Sequence, residues 1–351
     1  MHMKFNEKNL FFKILKEPKS LSKISYNKKK NVLKSLTAEF QIIENIPVLF
    51  NKKKIQKNTI AWWSDLYRQL YEGFDSTLTN KNILNELNLL EDLMKKNKHL
   101  LVNEMLGQDI INKTILEIGS GSGAHSAFLK SKGAKICSVD ISLPRVISTY
   151  KKLSLVNKSS FLCLNCDAEY LPIANKSFDF VYSNGVLHHS LNTTKTVNEI
   201  YRVLKPGGKA VIMLYSRFSA EYIFNIIPRA LLFGSFFLKK KEAEWIGEVT
   251  EGKPKFGKIK NPITRVYSQK QLKILLKDFE IISIRKSSFF LKDFCIPKLT
   301  QAREFVLKLF GCKLHSGGKI VYGRAVFPQT KIELLLSPYL GFSWNIVIRK
   351  K

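Results

Sequence analysis

The run Thr114-Ile115-Leu116-Glu117-Ile118-Gly119-Ser120-Gly121-Ser122-Gly123 constrains the fold more than any other stretch of this 351-residue chain. A short apolar strand leads into glycines at alternate positions, which lets the backbone turn tightly and approach a ligand at the mouth of a parallel sheet. A nucleotide-like ligand is expected there. Gly119, Gly121 and Ala124 also satisfy the dinucleotide pattern G-x-G-x-x-G/A, and Asp140 lies 21 residues after Gly119. The glycines alone therefore leave two ligand classes open. Glu117 weighs against the dinucleotide, because a pyrophosphate on this loop would meet a like charge at the strand tip, at a cost of about 1 kcal/mol or more.

From Lys113 the chain alternates strand and helix in the manner of a doubly wound sheet. Strands are expected at 114–118, 135–139 with Asp140 at the tip, 161–165, 178–183, 209–215, 279–285 and 342–348. One helix opens after Gly123, a second carries Pro144 in its first turn, and a third, near 197–204, is stopped by Lys205-Pro206-Gly207-Gly208. The expected fold class is α/β: a Rossmann-like, seven-stranded, mostly parallel sheet with helices on both faces, a small N-terminal extension and C-terminal insertions. The expected divisions are a small N-terminal domain at 1–57, a helical cap at 58–112, and a main domain at 113–351 with insertions at about 217–269 and 287–340.

These elements, in this order, resemble the class I S-adenosylmethionine-dependent methyltransferases, in the broad group that includes ubiquinone and menaquinone C-methyltransferases. The run ending in Gly123 resembles their motif I. Asp167-Ala168-Glu169-Tyr170-Leu171-Pro172 resembles their Asp-Ala-x-x-Leu-Pro element. The stretch 177–184 with Val186-Leu187-His188-His189 is similar to their fourth strand and following turn, and Arg202 to Gly208 to the entry of the fifth. The resemblance covers roughly 113–215.

It implies S-adenosylmethionine as cofactor and S-adenosylhomocysteine as product. Glu117, with Gly119, Ser120, Gly121 and Gly123, would hold the methionine end, whose ammonium and sulfonium are both cationic. Asp140, beside Ile141, would take the ribose hydroxyl protons as an acceptor-only carboxylate. Asp167 would accept from the adenine amino group beside Ala168, with Asn184 at the turn after the fourth strand.

The implied reaction moves a methyl group to a small-molecule, sugar or lipid acceptor by in-line displacement, so alignment and exclusion of water supply much of the rate. A general base is needed only if the acceptor loses a proton as it attacks. His188 and His189 are the candidates, since imidazole titrates near neutral pH; the alternative is a packed ring beside a capping one. Tyr215 could orient the acceptor and Arg217 could pair with an anionic one. Arg265 and Tyr267 form an Arg-x-Tyr-Ser segment that could face it as well. Tyr67 and Tyr71, in the helical cap, could also contact the acceptor, although Trp63, Tyr67, Tyr71 and Phe74 equally fit one buried helical face.

Residues 40–50 form an apolar strand followed by Ile-Pro-Val-Leu, which resembles the end of a zinc-ribbon-like domain that activates or precedes some methyltransferases. Those relatives hold metal with paired cysteines and this segment has none, so packing alone must hold it and no metal is expected. The five cysteines start after residue 136; Cys163 and Cys166 form a Cys-x-x-Cys, but Cys163 falls inside an apolar strand and no second ligand pair follows, so all are read as reduced thiols in a cytoplasmic protein. No signal peptide is expected. The apolar segment 222–238 is interrupted by Pro228 and Arg229 and falls short of the roughly 20 residues that span a bilayer, which leaves a role at a membrane surface or along a pocket.

The net charge of +30 suits a polyanionic partner, nucleic acid or an anionic membrane surface. Of the 58 basic residues only 10 are Arg, however, and lysine runs such as 28–30, 52–54 and 239–241 equally fit an A/T-rich coding bias. Three other functions stay open at this point: a nucleic-acid methyltransferase, an NAD(P)-dependent oxidoreductase and a non-catalytic cofactor-binding protein.

Overall fold

The structure is a computed structural model that describes residues 9–50, 57–156, 159–232, 237, 241–250, 261–294, 296 and 298–351. Lys52 to Lys54, Lys239, Lys240, Gly252, Pro254 and Gly257 lie outside the described residues, as does part of the apolar segment 222–238.

Four short strands come first: β1 (Ser25–Asn27), β2 (Val32–Lys34), β3 (Glu39–Ile43) and β4 (Ile46–Leu49). They are followed by β5 (Thr114–Ile118), β6 (Lys135–Asp140), β7 (Phe161–Cys166), β8 (Phe178–Asn184), β9 (Leu204–Tyr215), β10 (Phe279–Ser287) and β11 (Ser343–Lys350). The spatial order is β1-β2-β3-β4-β7-β6-β5-β8-β9-β11-β10. Strands β4 to β9 pair in parallel across the centre, while β11 runs antiparallel to both β9 and β10.

The seven expected strands are β5 to β11, and they sit close to their expected bounds. The sheet does not end with them. Val48 and Leu49 of β4 pair with Asn165 and Cys166 of β7, so the amino-terminal segment extends the sheet to eleven strands of mixed direction. The physical reason is that β7 would otherwise be an edge with unpaired backbone groups. β4 covers that edge, delivered by a two-residue turn at Glu44 and Asn45, both at positive φ as a tight hairpin requires. β9 begins earlier than expected, because Lys205 to Gly208 loop out between the Phe178–Leu204 and Phe180–Lys209 pairings and the strand resumes beyond them.

The longer helices are α1 (Lys57–Leu70), α2 (Ile83–Lys96), α3 (Ala124–Ser131), α4 (Leu143–Leu155), α5 (Thr193–Val203), α6 (Glu242–Val249), α7 (Gln269–Leu275), α8 (Leu299–Leu309) and α9 (Lys331–Leu340). Side chains alternate across a strand, and β5 shows it: Leu116 and Ile118 join one core with Val197, Ile200 and Leu272 of α5 and α7. Ile115 joins the opposite core with Phe128, Val146 and Leu153 of α3 and α4. Helices therefore cover both faces. Between β9 and α7, Tyr222, Ile226, Trp245, Ile246 and Val266 form a third, smaller core.

Candidate active site

A cavity opens at the carboxyl ends of β5, β6, β7 and β8 and is covered by α1. It encloses about 640 Å³ between its walls, the open mouth included. The strand tips supply Gly119, then Asp140 and Ile141, then Asp167 and Ala168, then Gly185 and Val186. His189 closes one side, and Thr59 and Trp63 reach in from α1.

The loop after β5 is glycine-bound by geometry. Gly119 has φ +77, and a Cβ there would lie 2.2 Å from the Val186 side chain. Gly123 has φ +83, and its Cβ would lie 2.5 Å from Thr149 Cα, where α4 crosses the start of α3. Ser120 Oγ is 2.9 Å from Thr149 Oγ1, fastening the loop to the same helix. The Gly121 N–H donates to Asp140 Oδ2 at 3.0 Å, and the Ser142 N–H to Oδ1 at 2.9 Å. Asp140 is buried, and burial raises its pKa against the opposing pull of Arg145 and these amides. Asp167 accepts from the Glu169 N–H at 2.9 Å and starts a short turn that carries Ala168 into the cavity wall.

Glu117 does not line this cavity. The alternation of β5 sends it to the face of Ile115, beneath α3, while Ile118 takes the cavity side. Its carboxylate accepts from Ser126 Oγ, which also meets Ser138 Oγ at 2.5 Å. Burial pushes its pKa up to about 8, and Asp140 adds to the rise. Ser120, Gly121, Gly123 and Asn184 likewise stand behind the lining. Asn184 ends β8 opposite Met213 of β9, and the following Gly185 and Val186 reach the cavity instead.

On the other side, aromatic rings run in sequence from the cap to the sheet. Trp63 meets His189 edge-on at 4.9 Å between ring centroids, His189 meets His188 at 4.2 Å, His188 meets Tyr215 at 3.8 Å, and Tyr215 stacks on Phe342 at 4.1 Å. His188 is fully buried, and neither ring nitrogen has a hydrogen-bond partner among the described residues. Burial, then His189 and Arg265, hold its pKa well below the usual imidazole range. His189 Nδ1 lies 3.0 Å from Thr264 Oγ1 and 3.2 Å from the Ile263 carbonyl.

The other residues expected to face an acceptor are engaged in holding the chain. Arg265 donates to the Ser190 and Leu191 carbonyls at 2.5 and 2.7 Å, and its N–H to His188 O at 3.0 Å, clamping the histidine turn. Tyr267 is buried; its amide donates to Tyr215 O and its carbonyl accepts from Trp344 Nε1. Arg217 pairs with Glu242, which also accepts from the Tyr222 hydroxyl at 2.8 Å. Tyr67 donates to Asp75 at 2.8 Å and stacks on Tyr71; it borders a separate cleft with Ser148 and Lys152. Tyr215 and Phe342 border another cavity, beyond the ring series, together with Arg229, Lys292 and Asp293.

In the sequence, Trp63 fits one buried helical face and Arg145 stands in no motif. In the structure the Arg145 guanidinium lies 4.8 Å from the Trp63 ring centre and its Nε donates to Trp63 O at 3.1 Å, so the two form the cavity's cover. No short motif carries that pairing, since the partners are 82 residues apart.

Residues 116–212 match a family described as a methyltransferase domain. The chain is 31% identical over 180 residues to the ubiquinone/menaquinone biosynthesis C-methyltransferase of Rickettsia prowazekii, covering 46% of this chain and 71% of that protein. It is 35% identical over 98 residues to a biotin biosynthesis bifunctional protein of Cellvibrio japonicus, of which it spans 19%, with 28% of this chain covered. A solved S-adenosylmethionine-dependent methyltransferase from Methanosarcina mazei aligns with a TM-score of 0.46 and 19% identity, over 71% of this chain and 97% of that one. The extent and identity of the Rickettsia match, joined to the domain match across β5 to β9, mean that this chain belongs to the class I S-adenosylmethionine-dependent methyltransferases.

Proposed function

We propose that this protein transfers the methyl group of S-adenosylmethionine to a small-molecule, sugar or lipid acceptor by in-line displacement. The observation that carries the proposal is one cavity in which the Gly119 turn adjoins two buried carboxylates, Asp140 and Asp167, at neighbouring strand tips. Each Asp140 oxygen accepts one backbone amide and keeps a lone pair for a ribose hydroxyl. The apolar Val139, Ile141 and Leu187 suit the faces of a purine. A pyrophosphate fits less well, because the Gly121 N–H is given to Asp140 and the strand tips present two carboxylates, Asp140 and Asp167, against the Arg145 guanidinium of the cover.

The cofactor, when bound, supplies an electrophilic methyl on a sulfonium. The chain's part is to align, exclude water and take up a proton where the acceptor releases one. Trp63 and Arg145 cover the cavity. His189 Nδ1 meets the Ile263 carbonyl, which can only accept, and Asn261 Nδ2, which can only donate, at 3.2 and 3.4 Å, so the surroundings serve either tautomer of the ring as it takes up or gives back a proton. Arg265 holds the turn that presents it. Tyr215 would orient the acceptor from beyond His188.

Calorimetric titration tests the reading. S-Adenosylmethionine and S-adenosylhomocysteine should bind with Kd on the order of micromolar, NAD(H) should not compete, and Asp140→Ala and Gly121→Val should each abolish binding. Retained affinity in both variants, or preference for NAD(H), would overturn it. Labelled methyl transfer into extract fractions, with and without nuclease, then separates a small acceptor from a nucleic acid.

A further inference from the structure

Helix α9 turns a stripe of large apolar side chains outward while Leu334, Leu336 and Leu340 are half-buried. Ile332, Leu335 and Tyr339 lie a turn apart along one face and are 64%, 73% and 73% exposed, while Glu333 and Ser337 point inward at 0% and 5%. A saturated polar lock enforces this orientation. Glu333 Oε1 accepts from Arg303 Nε and the Leu291 N–H at 2.7 and 3.0 Å, and Oε2 from Arg303 Nη2 and the Thr330 N–H at 2.7 and 2.8 Å.

Arg303 belongs to α8, which has no buried residue. There Ala302, Phe305, Val306 and Leu309 recur at helical spacing on one side, with Phe305 62% and Leu309 69% exposed, and Phe310 follows at 82%. Two helices locked to each other by a buried ion pair thus both turn apolar stripes to solvent. Lys286 extends the surface by donating to both the Tyr339 and Phe218 carbonyls, with Phe218 itself largely exposed.

Soluble monomers seldom leave so many large apolar groups uncovered without a partner. The charge around these groups says which partner. Lys292, Lys298, Lys308, Lys313 and Lys331 are all exposed on or beside the two helices, whereas Asp293 and Glu333 are buried and Glu304 is half-buried. Amphipathic helices with basic flanks lie in the headgroup region of anionic membranes. No described helix is long and apolar enough to cross one.

We propose that α8 and α9 form a docking face for an anionic lipid bilayer, with Phe305, Leu309, Leu335 and Tyr339 entering the acyl boundary and the lysines meeting lipid phosphates. The proposal does not depend on which acceptor is methylated. Its test is co-sedimentation of the full chain with vesicles of phosphatidylcholine alone or mixed with phosphatidylglycerol. Binding should favour the anionic vesicles by about tenfold or more. Leu335→Asp/Tyr339→Asp and Phe305→Asp/Leu309→Asp should each lower it by at least about tenfold, and Lys308→Glu/Lys331→Glu should remove the preference for anionic lipid. Thermal melts of these surface variants, expected to match the wild type, separate lost docking from lost folding. The proposal fails if the wild type stays unbound on anionic vesicles, or if correctly folded variants bind as well as it does. It also fails if ultracentrifugation finds a dimer that Leu335→Asp/Tyr339→Asp dissolves while no vesicle binding is seen, since the face would then belong to a second copy.

Discussion

At the tips of β6 and β7 the cavity's carboxylates are tied to backbone amides, whereas after β8 the cavity wall is His189, backed by stacked rings and by His188, whose nitrogens are buried without a partner among the described residues. The first region is preset: its polar atoms are positioned by the strands themselves and need nothing from a ligand. In the second, unsatisfied polarity is buried at a cost that only packing offsets, of the order of 1–3 kcal/mol for one group. A cofactor common to many reactions can be met by the first kind of construction, and an acceptor particular to one reaction by the second.

The sharpest way to break this contrast is to deform the preset side. Gly123→Val forces a β-branched residue into φ +83 and drives Cβ to within 2.5 Å of Thr149 Cα, so about 3 kcal/mol of stability should be lost together with S-adenosylhomocysteine binding. Gly207→Ala is the control. It has a similar φ of +70 but nothing within 4 Å of its Cβ, so it should cost about 1 kcal/mol and leave binding unchanged. Urea unfolding and ligand titration on both variants decide; equal losses would mean that the loop's packing against α4 is irrelevant.

A second pair of variants sets the two regions against each other directly. Asp140→Asn keeps the shape but replaces one acceptor oxygen with a donor, and should weaken S-adenosylhomocysteine by about 100-fold, or roughly 2.7 kcal/mol. Tyr215→Phe should leave that affinity within about threefold and act on the transfer step alone. A large loss of cofactor affinity in Tyr215→Phe would collapse the distinction between the regions.

What was legible beforehand follows the same divide. Asp140 with Ser142 and Asp167 with Glu169 are bonds across two residues, so short motifs contain them, and the strands were found because apolar runs and glycine turns mark them locally. The Arg265 clamp joins residues 74 or more apart, the Trp63–His189 and Tyr215–Phe342 contacts of the ring series span still more, and no local pattern encodes which faces meet. Arg217, Arg265, Tyr267 and Tyr67 have the chemistry of acceptor ligands, but their partners are other parts of the chain. Glu117 was drawn to the ligand by its place in the motif, and the pleat of β5 turned it away.

That displacement gives Glu117 its own pH signature. Its carboxyl titrates near 8 in the folded chain and near 4.5 when unfolded. The folded state therefore holds a proton that the unfolded state gives up, and stability from this group is complete below about pH 4.5 and lost as pH rises through about 8. Glu117→Gln, neutral in both states, should remove that slope and stabilise the protein by about 2 kcal/mol already at pH 6. Thermal melts from pH 5 to pH 8 would show it; a variant less stable than the wild type at pH 8 would mean that the charged carboxylate is wanted where it lies, as a partner for the cofactor's cationic end.

The smallest expected effect probes the residue that touches both regions. Trp63 carries Arg145 on its face and His189 at its edge. Trp63→Leu keeps an apolar cover but loses the cation–π and edge contacts, worth about 0.5–1 kcal/mol, so S-adenosylhomocysteine should weaken by only about threefold. The transfer rate should fall further than affinity does, because His189 loses the ring that fixes its orientation, whereas the Arg145 side affects binding alone. Equal falls in rate and affinity would assign Trp63 to the cofactor, and the ring series from Trp63 to Phe342 would then be packing with no bearing on the acceptor.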